Sequence, residues 1–177
     1  NITKYLEIAL VVMLCLMFVA PEIVKIMATK EYYSGIYMIP PLVFASFEMY
    51  MYTVYVNVEY YYKSTKYIAF NTIVAAVTNI VLNFIFVPMF GGMAACFTTV
   101  ASYMVSFIMH SHHSRKLDKD LFPIRQFALP TIIFIVAIVL AYLLMDLWLV
   151  RWIIVVAGFG CYAVFALVTK RFATFLK

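Results

Sequence analysis

Four polar side chains recur on one helical face of this chain. Glu48, Tyr52, Tyr55 and Glu59 stand at i, i+4, i+7 and i+11, which brings them into register over three turns of a helix. Glu48 falls inside a long apolar stretch, where a carboxylate costs at least ~2.5 kcal/mol on membrane-insertion scales, so it must face a cavity or a partner rather than lipid. Two readings stay open for it, a substrate-cavity group or a structural acceptor for a Tyr or Asn. Glu59 lies near the end of the same stretch and reads as an interfacial rim residue, together with Lys63 and Lys66 just beyond it.

A second polar set interrupts the next apolar stretch, where NTIVAAVTNIVLN places Asn71, Asn79 and Asn83 at steps of four around the small Ala75. An amide without a partner in hydrocarbon costs several kcal/mol, so these side chains must turn toward other helices or water. The following stretch offers a matching surface of Ala95, Thr99, Ser102 and Ser106, with Thr98 beside them. Small and hydroxyl residues allow close helix approach and hydrogen bonds across the contact. The amides therefore serve as polar glue between neighbouring helices or as the lining of a hydrophilic cavity. Glu48, Tyr52, Tyr55, Asn71, Asn79 and Asn83 are the cavity candidates, and Thr98, Thr99, Ser102 and Ser106 the packing candidates.

Other chemistry is thinly represented. His110, His112 and His113 with Asp118 and Asp120 suggest a metal cluster, but no second ligand group of fixed spacing accompanies them, and no metal is expected. Cys15, Cys96 and Cys161 all sit in apolar runs without CxxC spacing and read as small buried hydrophobes. The chain carries no nucleophile elbow, phosphate-cradling glycine loop or HExxH motif, so neither an enzyme nor a cofactor is expected.

The elements that must position these residues are membrane spans. With 67% hydrophobic and 12% charged residues among 177, and a mean hydropathy of +1.00, the chain has more apolar surface than a soluble domain of this size can bury. The expectation is an all-α, polytopic transmembrane helical bundle of about six helices, part of a larger two-bundle transporter. Six stretches reach the roughly 20 apolar residues that a crossing needs, at about 5–27, 36–58, 67–90, 93–110, 127–145 and 151–168. The breaks between them hold turn and charge signals, such as KEYYSG, EYYYKSTK, FGG and HSHHSRKLDKDLFPIR. The chain begins with Asn1 directly ahead of apolar sequence, which reads as a single transmembrane domain cut from a longer protein.

If the six spans cross in turn, one side receives Lys4, Lys63, Lys66, Arg115, Lys116, Lys119, Arg125, Lys170, Arg171 and Lys177. The other side receives only Lys25, Lys30 and Arg151. This asymmetry places both ends in the cytoplasm, and it accounts for the net charge of +5 without a nucleic-acid partner. Tyr32, Tyr33, Tyr60, Tyr61, Tyr62, Trp148 and Trp152 gather near the span ends as an interfacial aromatic belt.

The order PEIVKIMATKEYY, IPPLVF, EYYYKSTK and NIVLNFIFVPMFGGMAACFTTVASY resembles the carboxy-terminal part of polysaccharide-biosynthesis flippases. These are the Wzx-like members of the multidrug/oligosaccharidyl-lipid/polysaccharide exporter superfamily. The resemblance covers about residues 16–111, and the last two spans match in hydrophobicity only. It implies a two-bundle transporter with cytoplasmic ends in a bacterial inner membrane, serving lipopolysaccharide or capsule synthesis. Its cargo would be an undecaprenyl-diphosphate-linked oligosaccharide, moved between leaflets by alternating access. By similarity, the six spans correspond to the last six of fourteen, and the missing amino-terminal bundle is a partner along with the bilayer. No deeply buried Arg or Lys is expected here to hold the diphosphate. Alternatives are a drug or small-molecule exporter of the same superfamily and a membrane-embedded glycan polymerase or acyltransferase; a purely structural membrane subunit is a further one.

Overall fold

The computed structural model describes residues 2–119 and 123–168. Asp120, Lys170, Arg171 and Lys177, all used in the reading above, lie outside the described residues. The described chain is all helical, with α1 (Ile2–Met27), a 3-10 segment (Lys30–Met38), α2 (Ile39–Tyr61), α3 (Thr65–Phe90), α4 (Gly92–Leu117), α5 (Arg125–Leu143) and α6 (Trp148–Val168). It divides into two compact units, one of Pro40–Leu129 and the other of the residues on either side of that block.

Local sequence explains the boundaries. Pro40 and Pro41 open α2, where missing N–H donors cost nothing because the first-turn donors have no helical partner. At the other end of α2, Ser64 N–H donates to the Glu59 carbonyl and Lys63 N–H to the Tyr60 carbonyl, the paired closure of a Schellman motif. Lys63 occupies the left-handed position of that motif at φ 56°, where glycine is the usual residue. Between α3 and α4 the same problem is solved with glycine: Gly91 sits at φ 65° and ψ −156°, a conformation open only to a residue without Cβ. That single residue reverses the chain, so α3 and α4 form an antiparallel hairpin.

Five helices are long and apolar enough to cross a membrane: residues Lys4–Met27, Thr65–Phe90, Gly92–Leu117, Arg125–Leu143 and Trp148–Val168. The six helices expected are all present, and α2 is the one that falls short on this measure. Glu48, Asn57 and Glu59 lower its hydropathy, yet it buries ten of its residues, Glu48 and Glu59 among them. In α3 the relation is reversed. Its buried residues are Asn71 and Ala75, while Ile73, Val77, Ile80 and Phe84 are 62%, 52%, 66% and 84% exposed. A helix that hides its amide and presents its aliphatic and aromatic face is built for lipid, not for water. The chain is a multi-pass membrane protein.

In the outer-block unit, α1 packs against α6 and against the 3-10 segment. Arg151 is only 1% exposed, and its guanidinium pairs with Glu22 and reaches the Phe18 carbonyl at 3.4 Å. The expectation that this chain lacks a deeply buried cation is thereby corrected. Residue 151 is not a loop residue, since α6 begins at Trp148 and carries it into the first turn. Tyr33 donates to the Lys25 carbonyl at 3.0 Å and Tyr142 to the Tyr37 carbonyl at 2.9 Å, fastening the 3-10 segment to α1 and α5.

Candidate functional site: a polar seam between helices

The unit Pro40–Leu129 holds nearly all the polar side chains singled out above. Its spine is the α3–α4 hairpin, whose contacting residues follow a strict rule: each step of four toward the start of α3 matches a step of four toward the end of α4. Asn83 accepts a hydrogen bond from Thr98 Oγ1 at 2.5 Å. Asn79 Nδ2 donates to Ser102 Oγ at 3.2 Å, and Asn83 Nδ2 donates to Asn79 Oδ1 at 2.9 Å, tying these two rungs together. The next rung places Ala75 opposite Ser106, both small and both buried. The fourth brings Asn71 Nδ2 to 3.4 Å from His110 Nδ1.

A stripe of spacing four drifts by about 40° per step on a helix of 3.6 residues per turn, so the two helices must cross at an angle to stay in contact. Small residues at the middle rung permit the close approach. The packing surface on α4 is therefore 98, 102, 106 and 110. Thr98, Ser102 and Ser106 do the packing; Thr99 instead donates to the Ala95 carbonyl of its own helix at 2.8 Å.

At the fourth rung α2 joins the seam. His110 Nδ1 lies 2.7 Å from Glu59 Oε2, with the two side chains 1% and 0% exposed. Expected at the rim, Glu59 is instead fully enclosed, and the correction has a simple cause: α2 runs on to Tyr61 and α4 to Leu117, so both residues sit inside helices that extend past them. One ring nitrogen cannot donate to Glu59 and accept from Asn71 at once. The shorter contact, made to a carboxylate oxygen, carries the stronger bond. Tyr52 stacks on the His110 ring with centroids 5.8 Å apart and also packs against Tyr103. One turn further, Ser114 donates to the Tyr55 carbonyl at 3.0 Å, while the Tyr55 ring packs among Phe107 and Phe127.

The three histidines have separate surroundings. His110 belongs to the buried seam. His113 Nε2 is 2.8 Å from Ser64 Oγ and its ring stacks on Tyr67 at 3.5 Å. His112 is exposed on a different face of α4. Among the described residues no three His, Cys, Asp or Glu side chains converge on a point suitable for a metal ion.

A pocket of about 310 Å³ opens beside the middle rungs, walled by Tyr52, Thr72, Ala75, Asn79, Thr99, Ser102, Tyr103 and Ser106. Of the six cavity candidates, Tyr52 and Asn79 line it. Asn83 is committed to the seam, Asn71 is buried at His110, and Glu48 and Tyr55 are fully buried elsewhere on α2. Both Glu48 carboxyl oxygens lack a hydrogen-bond partner among the described residues. Lys63 and Lys66 are exposed at the end of the hairpin.

His110 and Arg151 were not legible as buried groups. His110 continues the four-residue rhythm of the α4 stripe, a signal masked by its place beside two other histidines and a run of cations. Arg151 pairs with a residue 129 positions earlier, and spacing within one element cannot reveal that. Comparison of the chain with protein-family models, curated proteins and solved structures returns no match.

Proposed function

We propose that this chain is part of a flippase that moves a lipid-linked oligosaccharide across a bacterial inner membrane by alternating access. The observation that carries the reading is the 310 Å³ pocket midway along the α3–α4 hairpin, a pair of membrane-length apolar helices, which amide, hydroxyl and phenol groups line. A sugar presents both hydroxyls and apolar C–H faces, and this wall offers hydrogen-bonding groups from Thr72, Asn79 and Thr99 beside the rings of Tyr52 and Tyr103. The exposed apolar flank of α3 suits a prenyl chain running alongside in the bilayer. No covalent step is involved. The motif resemblance of residues 16–111 drawn from the sequence is the expectation from which this proposal starts.

In this reading α2 is a sixth crossing. A buried helix face tolerates carboxylates that a lipid-facing one does not, and Glu48 and Glu59 on the buried face of α2 are why it falls short on hydropathy alone. Six crossings return both ends to the cytoplasm, in line with the distribution of Lys and Arg. Lys63 and Lys66 then lie where a diphosphate on the inner leaflet would meet the hairpin.

The test separates pocket from seam. Thr72→Val with Thr99→Val removes two hydroxyls that line the pocket and bond only within their own helices. In vesicles holding a fluorescent prenyl-diphosphate sugar, this double variant should lower the transbilayer transfer rate about tenfold, a loss of roughly 1.4 kcal/mol, at unchanged thermal stability. Transfer at the wild-type rate would remove the pocket from the transport path. An exporter of apolar cations would be indicated if the same vesicles moved a hydrophobic cation but not the lipid-linked sugar.

The buried Glu59–His110 pair favours a second reading, a membrane-embedded transferase, since an acid and a histidine in contact are a common general-base pair. Against it, both side chains are enclosed and neither lines the pocket, whereas a catalytic pair must touch its substrate. Sugar or acyl transfer from a prenyl-linked donor that disappears in His110→Phe would favour the transferase.

A further inference from the structure

The last turn of α4 and the residues just after it carry a group of cations that the seam does not use. Arg115, Lys116 and Lys119 wall an open pocket of about 420 Å³ together with His112, Ser111, Ile108 and Ile124. Positions 108, 112 and 115 follow one another at steps of four and three, so one face of α4 changes from aliphatic to cationic toward its end, and Lys119 joins it from the turn just beyond Leu117. None of the three cations takes part in a salt bridge among the described residues. The nearest described acid in sequence, Asp118, accepts a hydrogen bond from Tyr62 of the α2–α3 turn at 3.2 Å.

With the Gly91 turn at one face of the bilayer, helix rise sets the level of this pocket. A helix that begins at Gly92 has risen about 30 Å by residue 112, the full thickness of the hydrocarbon core. Arg115, Lys116 and Lys119 therefore fall in the headgroup layer, with Ile108 still at the acyl boundary. Three cations with no ion-pair partner among the described residues repel each other around one concavity, and a wall that is apolar below and cationic above matches an anionic amphiphile standing in the leaflet.

We infer that this pocket at the end of α4 binds a phosphate-bearing anion, with Arg115 and Lys119 gripping the phosphate oxygens and Ile108 and Ile124 bordering the attached chain. The Arg115 guanidinium fork suits two oxygens of one phosphate, whereas the lysines act as point charges. A lipid headgroup and a free phosphate share this chemistry, and the apolar edge favours the headgroup. The inference is independent of the transport reading, because it uses a different face of α4 and requires no movement of cargo.

The experiment compares the purified chain in phosphatidylcholine vesicles, in the same vesicles with phosphatidylglycerol, and in phosphatidylcholine vesicles with millimolar inorganic phosphate at matched ionic strength. Phosphatidylglycerol should raise the melting temperature of the wild type by about 3 °C, and the rise should vanish in Arg115→Gln with Lys119→Gln. Lys25→Gln with Lys30→Gln removes equal charge from exposed positions away from this pocket and should keep the rise. A rise with inorganic phosphate in neutral vesicles, also lost in the Arg115/Lys119 variant, would support the site with a soluble anion as its ligand. No rise in either arm, or an equal loss in both double variants, would overturn it. As a measurement that needs no variant, a photoactivatable phosphatidylglycerol should label residues 108–119 of the wild type, competed by unlabelled phosphatidylglycerol but not by phosphatidylcholine. Labelling spread evenly over all helix ends would contradict the proposal.

Discussion

Glu59 and His110 show how much one pair of residues can hinge on its partner. Both are buried, and the carboxylate has a single bonded oxygen among the described residues, the other being unmatched. Replacing His110 by Phe keeps the ring volume beside Tyr52 but strands the carboxyl group, so His110→Phe should destabilise the protein by about 3–5 kcal/mol. Adding Glu59→Leu to it should recover most of that loss, because the orphaned acid is then gone. Chemical unfolding in detergent micelles checks this, and a double variant weaker than His110→Phe alone would show that the pair is not the source of the cost. Lys63 poses the opposite case, a residue that pays for backbone conformation alone. Lys63→Gly relieves the left-handed strain of the α2 terminus and should stabilise by about 0.5–1 kcal/mol in the same assay. A loss of stability would mean that the lysine side chain contributes more than its backbone costs.

At the scale of elements, the α3–α4 hairpin is the most firmly specified feature. Its register follows from the Gly91 turn and from rungs four residues apart, and it predicts a contact that no polar bond marks, between Ala75 and Ser106. With Cys15, Cys96 and Cys161 replaced by Ala, the pair Ala75→Cys and Ser106→Cys should oxidise rapidly to a disulfide, while Ile73→Cys with Ser106→Cys should not. Equal cross-linking of both pairs, seen as a mobility shift on denaturing gels, would contradict the register. Much of this hairpin was legible beforehand, since Asn71, Ala75, Asn79 and Asn83 announce a polar stripe by spacing alone. Spacing alone reads the partner stripe as 95, 99, 102 and 106 with Thr98 beside it, whereas the rungs use 98, 102, 106 and 110. Hydroxyl residues at 98 and 99 fit either face equally, and only the tertiary contact with Asn83 decides between them. For the same reason the enclosed positions of Glu59 and Arg151 were hidden: each depends on where a distant helix ends, which local composition does not encode.

For the whole molecule, five apolar helices and a sixth that buries its two carboxylates describe a membrane protein with large apolar residues on its exposed surface. Its amides and hydroxyls meet at helix contacts, and its largest apolar residues on α3 face outward. The flippase reading, the sixth crossing and the lipid site each presuppose this orientation. A spin-label scan of single cysteines from residue 72 to 84, in vesicles, measures it directly through oxygen accessibility. The account predicts accessibility maxima at 73, 77, 80 and 84 and minima at 75, 79 and 83, with a helical period. Maxima at 75 and 79, placing the amide face in the acyl chains, would contradict it.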